Sequence, residues 1–221
     1  GRLTGEPLGD YLDEVGPLVA RFSRLIEPYV HAFLAEALPH RGLVRVLDVG
    51  CGSGGYLAHC ARLNPEARGV GLEKDPSVVA FARENLEAWG LQERVRILGG
   101  DFQQSPAELA RDFDVILFCN ALYYFPLEER AGLLGRLREH LAPGGRLILV
   151  CQFLGHGKDV FAANLGAATC SMRGCWPLPD LDDTRQQLAE AGFDVVRVER
   201  LSPGSTFYGL VARTAAHRVT S

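Results

Sequence analysis

From Leu43 onwards, short apolar runs alternate with amphipathic segments, and this alternation restricts the possible folds more than any other feature. The apolar runs are rich in β-branched residues, as strands are, whereas the segments between them carry apolar residues at helical spacing. Strand and helix alternating in this way predict an α/β protein with a mostly parallel sheet covered on both faces. The predicted strands lie at 43–47, 69–72, 95–98, 113–119, 147–151, 193–200 and 206–212.

The last two predicted strands are joined by a short turn, Ser202-Pro203-Gly204. Parallel strands need a crossover of a dozen or more residues, and this turn is too short to provide one. We therefore expect one of the two terminal strands to run antiparallel to its neighbours in the sheet.

Two segments lack this alternation. Residues 17–38 predict two short amphipathic helices, the second beginning at Pro28, and we expect them to form a helical lid. Residues 152–180 show no sustained period, so we expect a loop-rich insertion that adds to the lid. The predicted organisation is a lid at 1–40, one main domain at 41–213 that contains this insertion, and a tail at 214–221.

Composition and charge exclude several classes of function. The net charge is −4 and the 23 basic residues are scattered, which argues against a nucleic-acid partner. No apolar run approaches the length of a membrane span, and no secretion signal is evident, so we expect a cytoplasmic protein. The six cysteines form no CxxC pair, and we expect no metal site.

The chain begins at Gly1 and has one methionine, at 172, so we expect a trimmed protein or an excised domain.

A glycine-rich turn follows the first predicted strand, in the segment Asp48-Val49-Gly50-Cys51-Gly52-Ser53-Gly54-Gly55. Glycine is needed where a backbone turns sharply and approaches a ligand closely. Acidic residues close the first three strands: Asp48, then Glu73, then Asp101. Because parallel strands end at one edge of the sheet, these carboxylates predict one wall of a single nucleotide pocket, with Glu73 placed to accept ribose hydroxyls.

A nicotinamide-dependent oxidoreductase is the main alternative, since a dinucleotide turn is also rich in glycine. Such enzymes usually space their glycines as GxGxxG and lack an acid directly before them. The acid at Asp48 therefore favours a different nucleotide.

With these motifs, the chain from about Leu43 to Arg213 resembles the class I S-adenosylmethionine-dependent methyltransferases, and it is similar to bacterial methyltransferases of secondary metabolism. The resemblance implies a Rossmann-like seven-stranded sheet of order 3-2-1-4-5-7-6. It implies that the glycine turn holds the methionine part of the cofactor, that Glu73 binds the ribose, and that Asp101 and Phe102 contact the adenine. The implied cofactor-binding residues are Asp48, Gly50, Cys51, Gly52, Gly54, Glu73, Lys74, Asp101, Phe102 and Asn120.

The resemblance also implies methyl transfer to a small organic acceptor at oxygen, carbon or nitrogen, in bacterial natural-product biosynthesis. A carrier protein could present that acceptor if the chain is an excised domain. The segment Asn120-Ala121-Leu122-Tyr123 departs from the NPPY or DPPY motif of methyltransferases that act on bases and glutamine, which argues against those substrates. A relative that binds the cofactor without chemistry and a macromolecule methyltransferase stay open.

The catalytic candidates follow the predicted fourth and fifth strands. A general base is needed only when the acceptor must lose a proton, and His156 is the first candidate for that role. Tyr123 and Tyr124 are candidates as well, although they fit the walls of a pocket better than they fit a base. Further candidates are Tyr29 and His31 in the predicted lid, and a thiol pair, Cys170 and Cys175, which could bind a metalloid.

Overall fold

The structure is a computed structural model that describes residues 25–104, 109–155, 157, 159–172 and 174–215. Much of the predicted N-terminal lid and most of the predicted tail lie outside these ranges. His156, the first candidate for a general base, lies outside them as well.

Helices and strands alternate through the described chain, as the sequence predicts. In chain order they are α1 (25–37), β1 (Arg45–Val49), α2 (Gly55–Leu63), β2 (Arg68–Glu73), α3 (Pro76–Ala88), β3 (Val95–Gly99), β4 (Phe113–Cys119), α4 (Arg130–Glu139), β5 (Leu141–Gln152), α5 (Val160–Ser171), α6 (Leu181–Glu190), β6 (Phe193–Arg200) and β7 (Phe207–Thr214).

The strands form one seven-stranded sheet with the order β3-β2-β1-β4-β5-β7-β6. Strands β1 to β5 pair in parallel, whereas β7 is antiparallel to both β5 and β6. The predicted fold class, strand order and antiparallel terminal strand are therefore confirmed. The carboxyl ends of β1, β2, β3 and β4 meet at one edge, which we call the cofactor edge; it carries the residues that follow each strand.

Helices cover both faces of the sheet. One hydrophobic cluster joins α1, α2 and α3 to the sheet through Val30, Leu57 and Val79. A second cluster on the other face brings in α4 and α6, through Leu133 and Leu188. Because the central strands are covered on both faces, they read as continuous apolar runs and not as alternating ones.

Helix α1 is built into the core. Its side chain Phe33 lies over Gly209 of β7, where an added Cβ would come within 2.5 Å of the Phe33 ring. The predicted break at Pro28 is wrong, since residues 25–37 are continuously helical. The buried positions Phe33 and Leu34 dock this helix on the sheet, and this packing outweighs the local preference of proline for a helix start.

The segment 152–180 also differs from its prediction, because it contains the twelve-residue helix α5 and is not loop-rich throughout. Asp159 caps this helix by accepting a hydrogen bond from the Ala162 N–H. The sequence of this helix lacks a clear period because its apolar residues lie on exposed as well as buried sides. Val160 is 78% exposed and Phe161 is 45% exposed, while Ala162 is buried. Helical periodicity therefore could not reveal it.

None of the helices within the described ranges has both the length and the apolar character that a membrane crossing requires.

Candidate functional site

The glycine turn between β1 and α2 has the conformation that glycine permits most readily. Gly50, Gly52 and Gly54 have φ values of 73°, 51° and 78°, in the left-handed region that residues with a Cβ rarely adopt. The turn folds back over β2, because the N–H groups of Gly50 and Cys51 both donate to the Leu72 carbonyl. The backbone after Asp48 is thereby placed at the cofactor edge, beside the end of β2.

Glu73 ends β2 and faces this turn. Its Oε2 accepts from the Gly52 N–H at 3.1 Å, and its Oε1 accepts from the N–H groups of Lys74 at 2.8 Å and Asp75 at 3.1 Å. Asp75 in turn caps α3 ahead of Pro76. Three backbone donors thus fix the Glu73 carboxylate at the cofactor edge.

Asp101 follows β3 at the same edge. The Gly100 N–H donates to the Glu73 carbonyl at 2.9 Å, which joins the ends of β2 and β3. Lys74 Nζ lies 2.8 Å from Asp101 Oδ2, and the Gln103 N–H donates to Asp101 Oδ1 at 3.0 Å. Burial alone would raise the pKa of Asp101, but the Lys74 ammonium and the Gln103 N–H outweigh it and lower that pKa.

Phe102 is buried in the core, 3% exposed, with its ring 5.5 Å from the His140 ring. Its contact with an adenine ring stays a prediction. Cys51 is buried as well and fills the space beside Gly71, where an added Cβ would lie 2.6 Å from the Cys51 sulfur. The structure gives both side chains a packing role.

Asp48 is the least satisfied polar side chain at the edge. It is 1% exposed, and among the described residues no group donates a hydrogen bond to either of its carboxylate oxygens. Burial, and then the neighbouring charge of Glu73, raise the pKa of Asp48 to about 8. Burying an ionised carboxylate without a partner costs free energy. Asp48 therefore needs a hydrogen-bond donor or a cation beside it.

Asn120, after β4, completes the edge opposite the glycine turn. Its φ of 53° is the one positive value recorded for a non-glycine residue in the described chain, and such strain concentrates at functional sites. Its N–H donates to Val150 O at 2.7 Å. The Asn120 side chain also lies beside the phenol of Tyr56 on α2, whose pKa is raised chiefly by burial. The sequence interpretation missed Tyr56, and its position two residues after Gly54 was the available signal.

Tyr123 and Tyr124 form a wall next to Asn120. Their ring centroids are 4.8 Å apart, and the Trp176 N–H donates to the Tyr123 carbonyl at 2.8 Å. Burial first, and then Tyr124, raise the pKa of Tyr123 well above its ordinary value. Burial and the nearby Cys175 raise the pKa of Tyr124 to about 12. Neither phenol therefore ionises readily near neutral pH, which argues against a role as general base.

A buried arginine holds this wall in place, which the sequence interpretation also missed. Arg130 on α4 is 2% exposed and donates to the carbonyls of Phe125 at 3.1 Å and Pro177 at 2.8 Å. The segment after β4 and the segment after α5 are thus tied together. No local sequence signal reports contacts between positions so far apart in the chain.

A cavity of about 340 Å³ lies beneath α5. Its walls are largely apolar and include Ala162, Gly166 and Leu178. Asp159 lies at one end of it and fixes the start of α5, because its carboxylate accepts from the Thr206 N–H at 2.6 Å and from Gln152 Nε2 at 3.1 Å.

The remaining candidates lie elsewhere. Tyr29 is 41% exposed on α1, and His31 stacks on His59 of α2 with ring centroids 4.0 Å apart. All six cysteines are free, with Cys170 exposed. Within the described ranges, no three or more His, Cys, Asp or Glu side chains are grouped so that they could hold a metal ion.

Comparison with known proteins shows similarity to methyltransferases. A family model described as a methyltransferase domain matches residues 47–147. The tetracenomycin polyketide synthesis 8-O-methyl transferase TcmO of Streptomyces glaucescens is 31% identical over 132 residues, covering 60% of this chain and 38% of the relative. The N,N-dimethyltransferase OxyT of Streptomyces rimosus is 28% identical over 188 residues, covering 77% and 50%. The chain thus spans half or less of these relatives' length.

Solved structures share the fold. The mitomycin 7-O-methyltransferase MmcR superposes with a TM-score of 0.78 at 22% identity, over 96% of this chain and 62% of that one. The pyocyanin biosynthetic protein PhzM gives 0.74 at 26% identity over the same shares. Because the family match begins within β1 and ends within β5, the stretch that is similar to a methyltransferase domain includes the whole cofactor edge.

Proposed function

We propose that this chain binds S-adenosylmethionine at the cofactor edge and transfers its methyl group to the oxygen, carbon or nitrogen of a small organic acceptor in natural-product biosynthesis. The observation that carries the proposal is the buried, unpartnered carboxylate of Asp48. The methionine part of S-adenosylmethionine bears an ammonium group, which is the kind of partner that this carboxylate requires. The residues present therefore fit the cofactor.

The other proposed cofactor contacts are those that the family resemblance implies, and the geometry of the cofactor edge supports them. Gly50 and Gly52 let the backbone approach the methionine part closely, while Glu73 accepts the ribose hydroxyls and Asp101 the adenine amino group. Lys74 keeps Asp101 ionised through their ion pair. Cys51, Gly54, Phe102 and Asn120 complete the proposed site. When bound, the cofactor supplies a methyl group on a positively charged sulfur, ready for in-line displacement.

On the acceptor side, the chain's task is to align the acceptor and to exclude water. Tyr123 and Tyr124 act as hydrogen-bond donors and apolar walls, and His156 removes a proton where the acceptor must lose one. We propose that the N-terminal segment and residues 152–180 cover this site as a lid. The acceptor is free or presented by a carrier protein. The six free cysteines support a reducing, cytoplasmic compartment.

Replacing Glu73 tests the cofactor site. Glu73→Ala should weaken binding of S-adenosylhomocysteine by about 1 to 3 kcal/mol, because the ribose hydroxyls lose their acceptor. Isothermal titration calorimetry measures this change. The matched control is Glu87→Ala, an exposed glutamate on α3, which should bind as the unmodified protein does. Unchanged affinity in Glu73→Ala would place the ribose elsewhere.

The same titrations separate the alternatives. A nicotinamide-dependent oxidoreductase would bind NADH and show no affinity for S-adenosylhomocysteine. A relative without chemistry would bind the adenosyl ligand yet methylate nothing in a panel of aromatic phenols and amines. Strong, salt-sensitive binding of RNA would instead indicate a macromolecular substrate.

The acceptor side is tested with an acceptor found in that panel. If His156 is the base, His156→Ala should lower kcat by about 100-fold, whereas Tyr124→Phe should lower it only a few-fold, because the Tyr124 phenol does not ionise near neutral pH. Initial rates at saturating S-adenosylmethionine give both values. A small effect of His156→Ala would make that residue part of the pocket lining.

A further inference from the structure

The surroundings of Asp48 contain acids and no base. The groups whose charge is coupled to its carboxylate are Glu73 from β2, Cys51 from the turn, Tyr56 and Cys60 from α2, and Cys119 from β4. Glu27 of α1 adds a further acid beside Tyr56. The lysine of this region, Lys74, is paired with Asp101. In the part of the chain that the structure describes, no cation acts on Asp48.

The backbone donors of the turn are committed elsewhere. Gly50 and Cys51 donate to the Leu72 carbonyl, Gly52 donates to Glu73, and Gly54 donates to the Cys51 carbonyl. The N–H groups nearest in sequence to Asp48 therefore do not stabilise its charge. This differs from Glu73, whose carboxylate accepts from three N–H groups.

The free-energy cost of burying a carboxylate's charge in such surroundings can be avoided in two ways: the group can hold a proton, or it can pair with a cation. The ammonium group of the cofactor is that cation, if the proposed function is right. We propose that Asp48 exchanges a proton for the cofactor's ammonium group, so that it is neutral in the ligand-free protein and releases one proton to solvent when the cofactor binds. The O–H bond of Asp48 breaks, the proton leaves to buffer, and the ammonium keeps its own protons.

This exchange makes recognition of the amino group depend on pH. Below the pKa of Asp48, binding of a ligand that bears the ammonium should strengthen by a factor approaching tenfold for each unit of rising pH, since one proton leaves per ligand bound. A ligand that lacks the amino group, such as 5′-methylthioadenosine, should bind with no such dependence. Asp48 would then distinguish ligands by charge as well as by shape.

Calorimetric titration at about pH 6.5 tests the exchange in the full chain. Binding of S-adenosylhomocysteine is measured in two buffers with small and large heats of ionisation, and the difference gives the protons released. We expect about one proton for the unmodified protein, and none for Asp48→Asn or for 5′-methylthioadenosine. His59→Gln is the matched control, because the stacked pair of His59 and His31 also lies beside Tyr56; this variant should release the proton as before.

The outcomes separate the two proposals. If no adenosyl ligand binds, the proposed function fails. If S-adenosylhomocysteine binds without releasing a proton, or if Asp48→Asn still releases it, the exchange is overturned while the function stands. Infrared difference spectra of the unmodified protein cover the case in which Asp48→Asn does not fold. We expect the band of a buried protonated carboxyl to disappear when S-adenosylhomocysteine binds, and its persistence would overturn the exchange.

Discussion

The ligand-free protein should lose about 5 kcal/mol of its free energy of unfolding between pH 4 and pH 8 through Asp48 alone. Burial and the charge of Glu73 raise the pKa of this carboxyl from 3.8 to about 8 in the folded state. The folded chain therefore binds this proton more tightly than the unfolded chain does. The stabilisation is fully present below about pH 4, decreases as the pH rises, and is gone once the pH passes 8.

Chemical denaturation of the unmodified protein and of Asp48→Asn at several pH values measures this contribution. Every other titrating group is common to the two chains, so the difference between their curves isolates Asp48. Asp48→Asn should gain relative stability as the pH rises, and saturating S-adenosylhomocysteine should flatten the curve of the unmodified protein. Two parallel curves would show that Asp48 titrates near its ordinary pKa.

Asp159→Ala should destabilise the protein by about 3 kcal/mol or more. The buried carboxylate accepts hydrogen bonds from the backbone N–H groups of Ala162 and Thr206 and from the Gln152 amide. Removing it leaves these donors unpaired around a cavity and deletes the cap of α5. The loss is large because one side chain joins β5, α5 and the start of β7.

The pH dependence provides a second measurement at Asp159. Burial would raise its pKa, but the hydrogen bonds from Ala162 and Thr206 outweigh burial and lower it to about 2. A lowered carboxyl pKa stabilises the fold above the unfolded value, and this stability, about 2 kcal/mol, is lost as the pH falls from about 4 through 2. Guanidinium denaturation at neutral and acid pH measures both effects. Asp194→Ala, an exposed acid on β6, is the matched control and should change stability by less than about 0.5 kcal/mol.

The same contacts connect stability with the proposed function. Asp159 fixes one end of α5, and Arg130 ties the segment after α5 to the wall of Tyr123 and Tyr124. The acceptor side is thus anchored at both ends by buried polar side chains. Loosening either anchor should impair acceptor alignment more than cofactor binding, because Glu73 and Asp101 are held by separate backbone contacts.

Much of the cofactor edge could be predicted because its signals are local. A strand followed by a glycine turn, and an acid at the end of each of three strands, are patterns confined to a few residues each. Asp75 followed by Pro76 marks the start of α3 in the same way. Parallel strands then bring these ends to one edge without further information.

The features of the structure that the sequence did not predict share a different cause. Helix α5 has no clear period. Its cap, Asp159, is held by Ser205 and Thr206, which lie more than forty positions further along the chain. Arg130 bonds Pro177 O, 47 residues away. The docking of α1 depends on the fit of Phe33 over Gly209, and this fit overrode the helix break expected at Pro28. Such contacts depend on which surfaces meet after folding.

The α/β class, the strand order implied by the family resemblance, and the acids at the cofactor edge could all be read from the residues in order. The surroundings of those acids became visible only in the folded chain. The Glu73 carboxylate accepts a hydrogen bond from the Gly52 N–H and Asp101 pairs with Lys74, whereas Asp48 is enclosed by acids and apolar side chains. The reason is physical: the charge state of a carboxyl depends on the solvent and the charges around it, and these are set by packing and not by the order of residues along the chain.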